Sequence, residues 1–358
     1  MAYTTIDDPS QYFQILTYTG NQTDNRALTN TGNSDLQPDL LWIKRRGGAE
    51  DADMQDSVRG IGKRLRPARD DGEITDDTAI DSFDSDGFTV DNADQVNGND
   101  TYIAWQWKMN AGSNTNVSAS SGVLAVTHQV NTTAGQGIIT YTGNGTGSQQ
   151  ITHGLGGRAD CIWIKRRDNT NNWAVFSRQQ ANQSSSSSAA LNNNNPFSTS
   201  PNPFDSNLGG NSTFYVAADN EVNANNGTYV AYTFRNIKGY CREGRYIGNG
   251  NVLGTYVHTG FRPALIIIKK KDETQNWPMF DTEVRPRNVN AAVDGNDFMY
   301  ADLSNAEDQS PQFEIYSNGF RPTMTSDLTN GSGHPYFYIA WAKHPFVTSK
   351  GTPITAGR

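Results

Sequence analysis

One short phrase occurs three times in this chain: an apolar run that ends in consecutive cations. It reads LLWIKRR at Leu40–Arg46, CIWIKRR at Cys161–Arg167 and LIIIKKK at Leu265–Lys271. A repeated phrase limits the fold more than any single motif does, because homologous units bury homologous faces. Other matches surround it in the same order each time. Upstream lie ILTYTGN (15–21), IITYTGNG (138–145) and GRYIGNG (244–250); downstream lie TYIAWQW (101–107), TYVAYTF (228–234) and YFYIAWA (336–342). Two further landmarks appear in pairs: SDGFTV (85–90) with SNGFRP (317–322), and NWAVF (172–176) with NWPMF (276–280). The repeating unit is therefore roughly 100–125 residues, the size of a small domain and not of a solenoid turn.

Each landmark has a physical reading. TYTGNG is a strand ending in a tight turn, where Gly and Asn accept positive backbone angles. The apolar run before the cations suits a strand buried on both faces, and the cations return the chain to water. TYIAWQW alternates large and small or polar groups and closes the unit as a further strand. The 34 glycines break up almost every window with helical spacing, and the crossover helices of a parallel α/β fold are missing. The expected fold is all-β: three tandem, related β-sandwich units, jelly-roll or lectin-like, with long polar loops. Unit 1 spans 1–110, a Ser/Asn/Gly-rich linker 111–136, unit 2 137–238, and unit 3 with a C-terminal tail 239–358. The linker's GVLAVTHQV alternates well enough for one extra strand that could pair across units, and RNIKGYCREG (235–244) joins units 2 and 3 tightly. Trp42 and Trp163 are expected in the cores.

Composition excludes several function classes. A net charge of −8 argues against nucleic acid as a partner. No apolar run approaches the roughly 20 residues of a membrane helix, so membrane insertion is not expected. The opening MAYTTIDDPSQYF lacks a charged-then-apolar signal segment, which suggests synthesis in the cytoplasm. Two cysteines, Cys161 and Cys241, make no disulfide framework, and Cys161 takes a leucine's place in the repeat, as a buried thiol would.

Candidate chemistry is sparse. In RDDGEITDDTAIDSFDSDGF (69–88), setting Gly87 at the invariant EF-hand glycine places Asp84 and Asp86 correctly. It also puts Ser82 at the first ligand and Ala93 at the last, where Glu is required, so the EF-hand fails. Neither metal nor cofactor is expected. The five histidines form no HExxH, and no GxSxG elbow, P-loop or dinucleotide fingerprint occurs. No acidic position recurs through all three units, which weighs against a glycoside-cleaving carboxylate pair and gives no catalytic candidate.

The most persistent polar feature is the cationic end of each phrase: Lys44, Arg45 and Arg46; Lys165, Arg166 and Arg167; Lys269, Lys270 and Lys271. These nine are candidates for contact with a neighbouring subunit or with anionic surface glycans, and the acidic 70–86 stretch is a candidate partner for the first set. The low-complexity segment QQANQSSSSSAALNNNNPFSTSPNPF (179–204) reads as a long exposed loop on the working face, whose deletion over 183–199 should leave folding intact.

Taken together, MAYTTIDDPSQYFQILTYTGN, SDLQPDLLWIKRR, DSVRG, FDSDGF, TYIAWQWK, YIGNG, TGFRPALIIIK and YIAWAKHPFV…GTPITAGR resemble virion structural, tail-fibre-like proteins of marine tailed phages that carry a repeated domain of unknown function. The resemblance implies a phage particle as the setting and brings no catalytic residues. The expected function is a non-enzymatic virion protein on the particle surface, a tail-fibre or receptor-binding component. The alternatives are a capsid decoration protein, a carbohydrate-binding lectin module and a polysaccharide depolymerase. Expected partners are other virion proteins, copies of itself with a trimer favoured, and host surface glycans.

Overall fold

In the computed structural model, residues 3–180, 187–199, 203–205, 209–284, 297–309 and 313–354 are described. The chain is nearly all β, with 43% in strands and 2% in helix. Its sheets repeat one plan three times. Unit 1 contributes β1 (Phe13–Thr19), β2 (Leu40–Arg45), β3 (Asp53–Asp56) and β4 (Thr101–Trp107), in the order β1-β4-β2-β3. Unit 2 repeats that order with β5 (Gln136–Thr142), β6 (Cys161–Arg166), β7 (Ala174–Ser177) and β8 (Thr228–Phe234). Unit 3 does so with β9 (Cys241–Ile247), β10 (Phe261–Lys270), β11 (Pro278–Asp281) and β12 (Pro335–Pro345). Neighbouring strands are antiparallel throughout. A smaller sheet of two or three strands accompanies each main sheet.

The register shows why the repeated phrase is apolar without alternation. Leu41 and Ile43 of β2 pack in unit 1's own sandwich core, whereas Leu40 and Trp42 point the other way into a larger core. On β6, Ile162 and Ile164 take the first role, Cys161 and Trp163 the second. Both faces are dry, so every position is apolar until the cations begin.

The larger core is shared by all three units. Trp107, Phe234 and Trp341 occupy the same register position, opposite Leu40, Cys161 and Leu265 respectively. They touch pairwise: Trp107–Trp341 at 5.3 Å, Phe234–Trp341 at 5.1 Å and Trp107–Phe234 at 6.4 Å between ring centroids. Three equivalent residues in mutual contact define a pseudo-three-fold axis, so the units face one another around a hub. The indole N–H groups of Trp42, Trp105, Trp107 and Trp341 are buried there without an oxygen or nitrogen acceptor. Edge-to-face packing such as that of Trp42 on Trp105 and Trp163 offers ring faces instead.

Two expectations change. The stretch 111–136 carries the strands Thr115–Val117 and Val126–Asn131, which extend unit 2's sheet at the outer edge of β5. It is part of that unit, and its extra strand pairs with unit 2 itself. The low-complexity segment is not wholly exposed: residues 181–186 and 200–202 lie outside the described residues, but Ser188–Ala190 pairs with β7 and Leu191 and Phe197 are buried in the shared core. Enough apolar residues stand among the Ser and Asn to anchor it.

Candidate functional site

The nine cations divide by position into three roles, and each role recurs in every unit. The first lysine of each set, Lys44, Lys165 or Lys269, is buried. Its ammonium donates to backbone carbonyls of a neighbouring unit: Lys44 to Leu303 at 2.6 Å, Lys165 to Asp70 at 3.0 Å, and Lys269 to Asn194 at 2.8 Å. Lys165 and Lys269 also donate to Asn171 and Gln275 of their own units. Burial pushes all three ammonium groups down to about 8.

The accepting carbonyls lie on equivalent segments, each downstream of β3, β7 or β11 of its unit. These arms run over 65–73 after β3, 187–199 after β7 and 301–307 after β11. A second backbone bond fixes each arm, from Glu50 to Ser304 (2.9 Å), Asn171 to Asp70 (2.7 Å) and Gln275 to Asn194 (2.9 Å). Two arms also take an indole N–H, from Trp173 to Arg66 (3.0 Å) and from Trp277 to Ala190 (3.0 Å). Those tryptophans belong to the paired NW landmark, and Ala52 holds the same register place in unit 1.

The last cation of each set closes the same joint. Arg46 pairs with Glu307 at 2.6 Å, Arg167 grips Glu73 with two bonds of 2.7 and 3.0 Å, and Lys271 donates to the Gln180 carbonyl at 3.3 Å. The contacts run in one direction around the ring: unit 2 holds the arm of unit 1, unit 3 that of unit 2, and unit 1 that of unit 3. The middle cation stays at home, as Arg45–Asp100 (2.7 Å), Arg166–Asp168 (3.0 Å) and Lys270–Glu273. All nine candidates thus have partners inside the chain. The acidic stretch meets the second set through Asp70 and Glu73 and not the first, because the ring brings arm 1 to unit 2.

A buried polar network backs the joint between units 1 and 2. Arg59, from the DSVRG phrase, bonds Asp56 at 2.5 Å, Glu73 at 3.0 Å and the Tyr232 hydroxyl at 3.2 Å. Such a pair is costly to break, since one partner is left charged and dry.

A second triplicate was legible but not recognised in the sequence. Asn97, Asn223 and Asn330 are fully buried, five or six residues ahead of Tyr102, Tyr229 and Tyr336. Each accepts the backbone N–H of the turn asparagine of its own unit: Asn21 at 3.1 Å, Asn144 at 2.9 Å and Asn249 at 3.0 Å. Each donates back to the turn two residues further on, at Thr23, Thr146 and Asn251. Beside them the tyrosine pairs Tyr18–Tyr102, Tyr141–Tyr229 and Tyr246–Tyr336 stack at 5.3, 5.1 and 5.0 Å. The signal was an Asn five or six residues ahead of the first Tyr of each closing strand.

Other singled-out residues have local roles. Asp84 accepts from Ser82 and Thr89, and Asp86 accepts the Leu36 N–H. Among the described residues, no three His, Cys, Asp or Glu side chains converge as a metal site. His153 is buried in its turn, its Nδ1 accepting the Leu155 N–H, and burial pushes its imidazole down to about 4. Cys161 and Cys241 are free, buried thiols.

Fold and site together define a class: an all-β chain of three related units interlocked into a closed, pseudo-three-fold ring. The chain belongs to the family described as Domain of unknown function (DUF7483), whose model matches residues 8–345. No curated protein and no solved structure matches it.

Proposed function

We propose that this chain is a non-enzymatic structural protein exposed on a phage particle, acting as a tail-fibre or receptor-binding component. The observation that carries the reading is the closed ring, in which the persistent cations lock the units together. A rigid scaffold of that kind directs its Gly-Asn turns outward as fixed contact points. One turn differs from its equivalents: Val252 and Leu253, 67% and 64% exposed, stand where units 1 and 2 have Asp24 and Asn25, and Gly147 and Ser148. Exposed apolar side chains at a turn tip suit contact with another surface. Partners on this reading are other virion proteins, further copies of the chain and host surface glycans, met by the turns and not by the nine cations. The pseudo-three-fold axis favours capsid decoration as the second reading, because one chain would match a three-fold position in a shell.

The test is gold labelling of intact particles with antibodies raised against the purified chain. Label on tails supports attachment, label on heads supports decoration, and particles that lack the protein by both labelling and mass spectrometry remove both readings.

A further inference from the structure

The three main sheets have equivalent outer edges, at β1, β5 and β9, and the chain treats them differently. The edge of β5 is covered by Val126–Asn131, which pairs antiparallel with Gln129 opposite Ile138 and Val130 opposite Gly137. That strand lies in a groove between unit 2 and unit 1. Ser57 of unit 1 donates its hydroxyl to Gln129 Oε1 at 3.0 Å, and Asn131 donates to the Met109 carbonyl at 3.1 Å. The edge of β9 is closed by the joint between units 2 and 3. There the Asn236 side-chain amide accepts the Glu243 N–H at 2.5 Å and donates to its carbonyl at 3.2 Å, standing in for a strand.

At β1, no strand among the described residues pairs with the outer edge. A groove runs there instead, with Phe13, Gln14 and Ile15 on one wall and Ala264, Ala342 and Lys343 of unit 3 on the other. By register, these last three take the places of Asp39, Lys108 and Met109, the wall against which the strand of unit 2 is seated. The N–H of Lys108 bonds the Tyr12 carbonyl on the β4 side, so antiparallel alternation turns the backbone groups of Phe13, Ile15 and Thr17 outward.

An independent observation concerns the counterpart of Ser57. Ser57 N–H bonds the Asp39 carbonyl and Thr282 N–H bonds the Ala264 carbonyl, both at 2.9 Å, so Thr282 holds the same place. The Ser57 hydroxyl has two acceptors in reach, Asp39 Oδ1 of its own unit at 2.7 Å and Gln129 Oε1 of the seated strand at 3.0 Å, whereas Thr282, with Ala264 in the place of Asp39 and no strand beside it, is buried with no hydrogen-bond partner for its hydroxyl. An orphan of that kind is costly unless something arrives to satisfy it.

We propose that the groove beside β1 is a docking site for an extended segment of another protein, which adds as an antiparallel strand along Phe13–Thr17. The segment carries Gln or Asn at the position opposite Ile15, where its amide accepts from Thr282 as Gln129 accepts from Ser57. Flanking side chains meet Gln14, Gly32 and Asn33, so small or polar residues fit there. Backbone pairing supplies affinity, and the amide supplies selection. The inference stands independently of the virion reading.

The test uses the full chain and a labelled peptide with the sequence of residues 124–133, the strand that occupies the equivalent groove. Fluorescence anisotropy should show saturable binding that weakens at least tenfold in Ile15→Pro, which removes an outward N–H but no bond of the sheet. A Gln129→Leu peptide should bind several-fold more weakly than the parent to the natural chain and equally to Thr282→Val. Hydrogen exchange gives a readout that needs no variant: the Ile15 and Thr17 amides should exchange quickly in the free chain and slowly with peptide, whereas those of Ile138 and Thr140 are slow in both. No saturable binding, affinity unchanged by Ile15→Pro, or Ile15 and Thr17 amides already protected in the free chain would each overturn the proposal.

Discussion

Trp107 and Trp341 meet edge to face with ring centroids 5.3 Å apart, although one closes the first unit and the other the third. Neither unit could bury its tryptophan alone, so the units share one core and should lose it together. Trp341→Ala should cost about 3–5 kcal/mol, the range for emptying a buried aromatic site. Calorimetry of the natural chain should show one cooperative transition, since no unit keeps a complete core without the others. Three separate transitions would mean that the hub holds little of the stability.

The buried lysines make a prediction about local exchange. Lys165→Met keeps the length of the side chain but leaves the Asn171 carbonyl without its donor and the Asp70 carbonyl with the Asn171 N–H alone. The expected cost is about 1–3 kcal/mol, from the carbonyl left unsatisfied. Amide exchange should rise in 65–73 while the sandwich core of unit 2 keeps its protection. Unchanged exchange in that arm would show that the lysine does not lock it.

Stability should also depend on pH through Glu243. Burial pushes its carboxyl up to about 8, against hydrogen bonds from the Ser177 hydroxyl and the Gln179 N–H that favour the charged form. An unfolded Glu titrates near 4.3, so the folded chain holds this proton to higher pH. The contribution is complete below about 4.3 and disappears as pH rises to 8, by up to about 1.4 kcal/mol per unit. Melting temperature should therefore fall between pH 5 and 8, and less steeply in Glu243→Gln. His153 opposes this over the lower part of the range: held at about 4 when folded and near 6.5 when unfolded, it lowers stability as pH falls through that interval, so the fall due to Glu243 is clearest above about pH 6.5. Equal pH slopes for the natural chain and Glu243→Gln would place the titrating group elsewhere.

The second arm gives the sharpest departure from what composition suggests. Phe197 packs on Trp277 and Phe337 of unit 3 at 6.2 and 5.8 Å. Phe197→Ala should destabilise by about 3 kcal/mol, and removal of 187–199 should lower the melting temperature further instead of leaving folding intact. A melting curve unchanged by the deletion would restore the exposed-loop reading.

Much of this architecture was legible in the amino-acid sequence. The unbroken apolar run of Leu40–Ile43 signalled a strand dry on both faces, and the order of the landmarks signalled three copies of one unit. What lay on the second face was not legible, because periodicity records burial and not the identity of the neighbour. Trp42 looked like the core of a single sandwich and instead faces Trp163 of another. The cations looked like surface chemistry for the same reason. A lysine that ends a buried strand reads as solvated unless the arm covering it is known, and Leu303, Asp70 and Asn194 are far away in sequence. Phe197 was hidden among Ser and Asn, whose abundance suggested a segment unable to bury itself.

Ring closure is the central claim, and its most direct test is a double-mutant cycle on Arg46 and Glu307. This pair joins the first unit to the third at 2.6 Å with both side chains largely sheltered. Chemical denaturation of Arg46→Ala, Glu307→Ala and the double variant should give a coupling energy of about 1 kcal/mol, as expected for contacting residues. Strictly additive effects would mean that the two ends of the chain do not meet, and the ring would be open.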